Sequence, residues 1–287
     1  MRDLLIWLLT AVLAFQLSAC SVPEQDSSID SLRIGILPDE SEEALRDRYM
    51  PLFEYLSQET GIAHELAIPH SYEELVSWFG EGKVDLAYFG GATFLKASHQ
   101  YKAVPLVMRD VDTRFTSVLV VADDDFRTLE ELQGKRISFG SRLSTSGHLM
   151  PRHFLQVQRG VTPEKYFSNI RYSGKHDRTA FWVRDGEVDA GIVNSEVIRK
   201  MSADGRLRPG DVRIIWTTPP YIDYVWAVHP RVHPAVRESI QQAFLQLSAD
   251  NPPHEAVLSK LGAGAFYPAS TNDFSALQQV IDSLEVL

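Results

Sequence analysis

Five consecutive residues, Ser144-Thr145-Ser146-Gly147-His148, carry the first chemistry of this sequence. They follow an apolar strand pattern at Arg136 to Phe139 and precede an amphipathic run from Leu149 to Gln158. The amides of a helix's first turn have no partner inside the helix, and they lie at the positive end of its dipole. Hydroxyls at Ser144, Thr145 and Ser146 add donors, and Gly147 lets the backbone come close because it lacks a Cβ. Such a turn could grip a small tetrahedral oxyanion with neutral donors. The same residue types also make an ordinary Ser/Thr helix cap.

Tyr72 and His176 are the next donors, a phenol O–H and an imidazole N–H. An internal echo places both at helix starts. Tyr72 through Ala87 aligns without gaps on His176 through Gly191, and each copy is a helix closed by glycine and a strand opening on Val-Asp. Beyond it, Phe89-Gly90-Gly91 falls on Val193-Asn194-Ser195, at strand C-terminal ends, where open α/β sheets bind ligands. Glu196 and Asp223 are the acidic candidates. A carboxylate beside an oxyanion repels it unless the ligand carries a proton or an amine, so acids there would select such ligands. Both also suit a helix cap or a solvated loop. Arg114 is either a charge partner at the cleft or a surface ion pair, and His148 could face the anion or solvent, with solvent favoured.

Other chemistries are disfavoured. His148 and His153 lack the i,i+4 spacing of two zinc ligands on one helix face, and no metal site or cofactor is expected. There is no Gly-x-Ser-x-Gly elbow, and Gly140 to Gly147 lacks the P-loop spacing and its lysine. No nucleophile–base pair is visible, so the chain is expected to bind its ligand, not to transform it.

The elements that must position these residues alternate. Strands are expected at Leu32–Leu37, His64–Pro69, Val84–Phe89 and Val104–Met108, with helices between them closed by Gly61 and Gly82. Ser71 caps one helix, with Glu74 three residues on as in a capping box. Phe115–Ala122 is expected to cross into a second lobe of the same plan, with strands at Arg136–Phe139, Ile170–Tyr172, Val188–Val193 and Val212–Trp216. Tyr224–Val228 crosses back, and helices over Pro234–Leu247, Pro253–Leu261 and Asp273–Leu284 pack on the first lobe. The expected fold is α/β, with mixed, mainly parallel sheets. Residues 32–114 plus 225–287 make lobe 1, residues 115–224 make lobe 2, and two crossing segments form a hinge able to close on ligand.

The 287 residues are 44% hydrophobic and 23% charged, as in ordinary globular proteins. The net charge of −10 at pH 7 argues against a nucleic-acid partner, though not against a small anion held by local dipoles. Arg2 and the apolar Leu4–Phe15 form an export signal. Leu17-Ser18-Ala19-Cys20 resembles the lipobox of bacterial lipoproteins, which implies cleavage after residue 19 and a lipid on Cys20, the sole cysteine. By analogy with Gram-negative lipoproteins, Ser21 is compatible with outer-membrane sorting. Residues 21–31 read as a flexible tether.

From Leu32 to Leu261 the chain resembles the phosphonate/phosphite-type substrate-binding proteins of ABC transporters. The most specific likeness is Ser144-Thr145-Ser146-Gly147-His148-Leu149-Met150-Pro151, close to the family's Ser-Thr-Ser-Gly-x-Leu-x-Pro. Asp85–Gly90, Gly174–Asp177, Asn194–Glu196 and Trp216–Pro219 support it. The resemblance implies a two-lobed type 2 periplasmic-binding-protein fold. The Ser-Thr-Ser turn would hold a phosphorus-centred oxyanion, and Tyr72, Phe89, His176, Glu196 and Asp223 would line the rest. It also implies a monomer, tethered by lipid on the periplasmic side of the envelope, that delivers ligand to a permease transmembrane subunit. A sensor handing the closed form to a receptor kinase ectodomain is the alternative. Phe89 departs from the family's frequent Tyr, and Asp223 aligns only with a one-residue shift. Ser173–Thr179 and Pro220–Tyr224 also resemble relatives proposed to bind selenate, while arsenite-binding relatives use a cleft cysteine that this chain lacks.

Overall fold

The computed structural model of the protein describes residues 31–284. The export signal, Cys20 and the tether up to residue 30 lie outside the described residues. The first part runs β1 (Ser31–Ile36), α1 (Glu42–Thr60), β2 (Ala63–Ala67), α2 (Tyr72–Gly80), β3 (Leu86–Phe89), α3 (Gly91–Tyr101) and β4 (Val104–Arg109). After a short 3₁₀ turn come β5 (Ser117–Val121), β6 (Arg136–Phe139), α4 (Met150–Arg159), α5 (Pro163–Tyr166), β7 (Asn169–Tyr172), α6 (His176–Arg184), β8 (Ala190–Asn194), α7 (Ser195–Ala203) and β9 (Arg213–Thr217). The chain then adds β10 (Val225–Val228), α8 (Pro234–Gln246), α9 (Pro252–Leu261), β11 (Phe266–Pro268) and α10 (Ser275–Leu284).

Two sheets result. The first has the order β11-β4-β10-β3-β1-β2 and the second β7-β6-β8-β5-β9. Read from its other edge, the second repeats the first: β9-β5-β8-β6-β7 against β4-β10-β3-β1-β2. In both five-strand sets one antiparallel strand, β10 or β5, lies among parallel strands, and β11 adds a second antiparallel strand at the edge of the first sheet. β10 and β5 are the strands that carry the chain from one sheet to the other. β3, β5, β8 and β10 are buried at every residue, which explains their continuous apolar runs. β11 has only three residues, too short for a period-two pattern to announce it.

The echo between the halves has a physical cause. Asp85 of the first Val-Asp accepts from the Arg33 backbone N–H at 3.0 Å and from its guanidinium at 2.9 Å, and Arg33 also reaches the Gly82 carbonyl. Asp189 of the second does the same for Arg136, at 2.7 and 3.2 Å, and Arg136 reaches the Gly186 carbonyl. Gly82 and Gly186 both adopt positive φ, 68° and 73°, which only glycine enters cheaply. Each clamp ties the helix–strand turn to the neighbouring parallel strand. The two helices it fixes begin at Tyr72 and His176, nine residues each.

The crossing segments meet as a pair. Phe115 and Tyr221 form an antiparallel bridge, with N–H···O bonds of 2.7 and 2.9 Å in the two directions. The first core cluster gathers the first sheet and its helices, and it also takes in Leu143, Leu149 and Met150 from the turn after β6. Two smaller clusters cover the two faces of the second sheet. The turn of interest is therefore packed between the lobes. Among the described residues no helix is long and apolar enough to cross a membrane.

Candidate anion-binding site

The Ser/Thr turn opens with a π-helical turn, Thr145–Leu149, before α4. Leu149 N–H donates to the Ser144 carbonyl and Met150 N–H to that of Thr145, both five residues back. An i→i−5 start leaves one more leading amide outside the ladder than an α-helix does. Ser144 Oγ accepts from the Gly147 N–H at 2.9 Å, so this hydroxyl is the ordinary helix cap. Thr145 Oγ1 accepts from the Ala92 N–H at 2.9 Å, across the cleft at the start of α3. Ser146 Oγ is buried and has no partner. The three hydroxyls thus separate into a cap, a bridge between lobes and a free donor.

Of the other buried side-chain atoms without a hydrogen-bond partner, three belong to the candidate residues: Tyr72 Oη, His176 Nε2 and Asp223 Oδ2. Their residues are no more than 2% exposed. A buried polar group without a hydrogen bond costs about 1–3 kcal/mol, so several in one place mark a site awaiting a polar guest. They do share one place. A Cβ at Gly147 would stand 2.9 Å from His176 Cε1, and one at Gly90 would stand 3.4 Å from Asp223 Oδ1 and 3.7 Å from Thr145 Oγ1. Glycine at both positions keeps the backbone this close.

Each free atom has a defined role. His176 Nδ1 accepts the Asn194 backbone N–H at 3.2 Å, which puts the ring proton on Nε2, facing the site. Burial holds this imidazole below its ordinary pKa, against the pull of Asp39 and Asp177, so it donates as a neutral group. Burial likewise pushes the Tyr72 phenol well above its usual range, keeping its O–H. Asp223 Oδ1 accepts the Gly91 N–H at 2.9 Å, and its Oδ2 is free. Burial raises this carboxyl to about 7, opposed chiefly by the Gly91 N–H. Three neutral donors, leading helix amides and one carboxyl oxygen seeking a proton fit a small oxyanion that still carries an acidic hydrogen. Among the described residues no group of three His, Cys, Asp or Glu could hold a metal.

The surroundings include residues that the pattern reading passed over. Asp39, at the end of β1, accepts from Tyr224 Oη at 2.8 Å, and Tyr224 in turn accepts from Asn194 Nδ2 at 3.2 Å. The Asp39 carbonyl accepts the His176 N–H at 2.8 Å, and Asp177 accepts the Ser41 N–H at 2.7 Å. Glu40, fully buried, is paired with Arg48 of the first lobe and Arg206 of the second. Lys175 Nζ reaches the Glu40 carbonyl at 3.1 Å. Together with the Thr145–Ala92 bond these contacts hold the lobes closed. Ser117 joins the site to the hinge: its Oγ donates to the Ser146 carbonyl at 2.6 Å and bonds the Tyr221 hydroxyl. The available sequence signal was position, since Asp39 and Glu40 follow β1 as the Ser/Thr turn follows its counterpart β6.

The remaining candidates lie elsewhere or act otherwise. Glu196 is not among the converging groups: it pairs with Arg199 on α7 at 2.7 Å and faces shallow clefts at the lobe edge. Phe89 ends β3 and packs its ring edge-on against Phe79, with centroids 5.3 Å apart, inside the first lobe's core. Arg114 is exposed and lines a shallow cleft with Asp110 and Glu196. The expectation that His148 faces solvent is overturned. It is 3% exposed, with Nδ1 2.8 Å from the Arg142 carbonyl, Nε2 3.3 Å from the Tyr172 hydroxyl and its ring against Phe139. Burial lowers it to about 4, so it is a neutral strut under the turn. A π turn rotates the following side chain relative to an α start, which periodicity alone cannot anticipate. The capping box at α2 is also altered: Ser71 Oγ accepts the Glu74 N–H at 3.1 Å, but Glu74 reaches back to the His70 N–H, at 2.5 Å.

Two sheets of matching topology, joined by paired crossings and closed over buried unpartnered polar atoms, define a two-lobed binding protein for a small polar ligand. Residues 34–274 match the family described as ABC transporter, phosphonate, periplasmic substrate-binding protein, and the chain belongs to that family. It is 28% identical over 263 residues to a probable ABC transporter phosphite binding protein, PhnD1, of Prochlorococcus marinus, covering 87% of this chain and 88% of that one. It is also 28% identical over 256 residues to the phosphate-import protein PhnD of Mycolicibacterium smegmatis, covering 82% and 79%. The solved structure of PhnD1 with methylphosphonate superposes with a TM-score of 0.84 and 27% identity, covering 90% of this chain and 99% of that one. The fold is thus that of the type 2 periplasmic binding proteins.

Proposed function

We propose that the buried cluster captures a phosphite- or phosphonate-class oxyanion carrying one acidic proton. Ser146 Oγ, Tyr72 Oη, His176 Nε2–H and the leading amides of the Ser/Thr turn donate to its oxygens. The Asp223 carboxylate accepts its P–OH proton. The observation that carries this reading is that four hydrogen-bond-free polar atoms, in residues at most 2% exposed, gather at the Ser/Thr turn. No lysine or arginine nitrogen is among them, so the pocket recognises hydrogen-bond geometry and protonation more than charge. A fully deprotonated dianion would face the Asp223 carboxylate directly, whereas a singly protonated one satisfies it. Phe89 and Glu196 stay outside this donor set, Phe89 as a wall behind β3 and Glu196 as an outer ion pair.

The protein works by holding its ligand and does not chemically change it. Closure around the ligand presents the two-lobed form to an ABC permease; the family's membership in transporters supports a permease over a sensor kinase ectodomain. The body is a monomer, 32–114 with 225–287 forming one lobe and 115–224 the other. A lipid on Cys20 anchors it at the periplasmic face. Loss of palmitate labelling in Cys20→Ala tests the anchor. Calorimetry of the soluble body with phosphite, methylphosphonate, aminoethylphosphonate, phosphate, sulfate and selenate tests the ligand. Saturable binding of phosphite or methylphosphonate with weak or absent sulfate binding is expected. Preference for sulfate or selenate would refute the role given to Asp223.

A further inference from the structure

Outside the buried cluster, an open cleft of about 210 Å³ lies between the lobes. Tyr72 borders both: its hydroxyl belongs to the inner cluster and its residue lines the cleft. On the second-lobe side the cleft is lined by Arg142, Lys175 and Arg178, and on the first-lobe side by one carboxylate, Glu73, which moves away with its lobe on opening. These cations are set apart from others in that lobe. Arg136, Arg152, Arg171 and Arg184 each hold a carboxylate within 3.2 Å. Arg142 and Arg178 have no carboxylate partner among the described residues. Arg142 lies 3.9 Å over the Tyr172 ring, and Arg178 donates to the Ser173 carbonyl at 3.1 Å. A neutral ring and a carbonyl orient the two guanidiniums without cancelling their charge.

From this arrangement we propose that the cleft mouth is an encounter site for anions, where Arg142 and Arg178 hold an incoming oxyanion loosely before the lobes close on it. The inference rests on the oxyanion reading of the inner cluster. Three features support it. The protein carries a net charge of −10, so its mean field repels an approaching anion and local cations must reverse that field at the point of entry. Both arginines and the groups that orient them, Tyr172 and Ser173, belong to the second lobe, so the pair survives lobe opening intact. Opening would also free Lys175 from the Glu40 carbonyl of the first lobe and add a third cation. The mouth is therefore most positive in the open form, when capture must occur. In the closed form Lys175 is turned to the lobe contact. The positive charge that the inner pocket lacks is supplied at its entrance, where it raises the association rate without discriminating among anions.

Stopped-flow association with methylphosphonate and phosphite, across a series of ionic strengths, tests this. In Arg142→Gln/Arg178→Gln the association rate should fall about tenfold at low salt. The dissociation rate should change by less than about twofold, because the bound ligand sits in the inner cluster. The two proteins' association rates should converge near 1 M salt, where screening shortens the reach of charge to about 3 Å. Arg159→Gln/Lys165→Gln removes the same charge from exposed positions of the same lobe that do not line the cleft, and should leave the association rate unchanged. Equal association rates for the cleft variant and wild type overturn the inference, as does a loss confined to the dissociation rate. A wild type that binds neither probe overturns the oxyanion reading itself.

Discussion

Asp223→Asn separates what the protein gives up in stability from what it gains in recognition. Asp223 is 1% exposed, and its carboxyl is raised from 3.8 to about 7, chiefly by burial. Between those two values the folded chain keeps a proton that the unfolded chain has lost. By linkage, stability then falls as pH rises from about 4 to about 7 and is flat above that. At about 1.4 kcal/mol for each pH unit, the ionised carboxylate costs the ligand-free closed protein about 4 kcal/mol at pH 8. Asparagine keeps an oxygen for the Gly91 N–H and removes the charge. The variant should therefore match wild type near pH 4 and melt roughly 10 °C higher at pH 8, at a few degrees per kcal/mol. Its affinity for methylphosphonate should fall at least about tenfold, since it loses a charge-assisted acceptor for the ligand's proton. Calorimetric melts from pH 4 to 8, with titrations of both proteins, read the two effects. Parallel melting curves across that range would refute the assignment of a buried carboxyl with one oxygen left unsatisfied. Stabilisation without loss of affinity would refute its place at the ligand.

Ser146→Ala removes the one free hydroxyl of the turn and should weaken ligand binding by about 1–3 kcal/mol while leaving the melting temperature of the free protein unchanged or higher, by titration and melting. Gly147→Ala places a methyl 2.9 Å from His176 Cε1 and 2.8 Å from Ser144 Oγ, so affinity should drop sharply with the overall fold retained in circular dichroism. Glu40→Gln leaves Arg48 and Arg206 facing one another across the lobes without the shared carboxylate. Breaking such a buried pair costs about 3–5 kcal/mol, so small-angle scattering should show a more open ligand-free protein and titration a weaker complex.

The pattern of residues determined much of this protein directly. Strand and helix order followed from apolar periodicity, because the central strands are buried on both faces and the helices on one. The repeat from Tyr72 and His176 was legible because each copy needs the same arginine clamp on its Val-Asp, and a local device leaves a local trace. The Ser-Thr-Ser-Gly turn was visible because helix starts demand small hydroxyls and glycine. What the sequence could not assign was the job of each hydroxyl. Cap, bridge and free donor are the same residue types, and only the partners Gly147 and Ala92 separate them. Asp39, Glu40, Tyr221 and Tyr224 read as turn and hinge residues because each has a partner more than 100 positions away, Tyr224 for Asp39, Arg206 for Glu40, Ser117 for Tyr221 and Asp39 for Tyr224. His148 shows the converse: the pattern favoured solvent for its side chain, and the π turn buries it beneath the motif instead. Spacing along the chain reports local geometry, whereas a cleft is made where distant strand ends meet, and only closure of the two sheets determines which buried atoms are left without a partner.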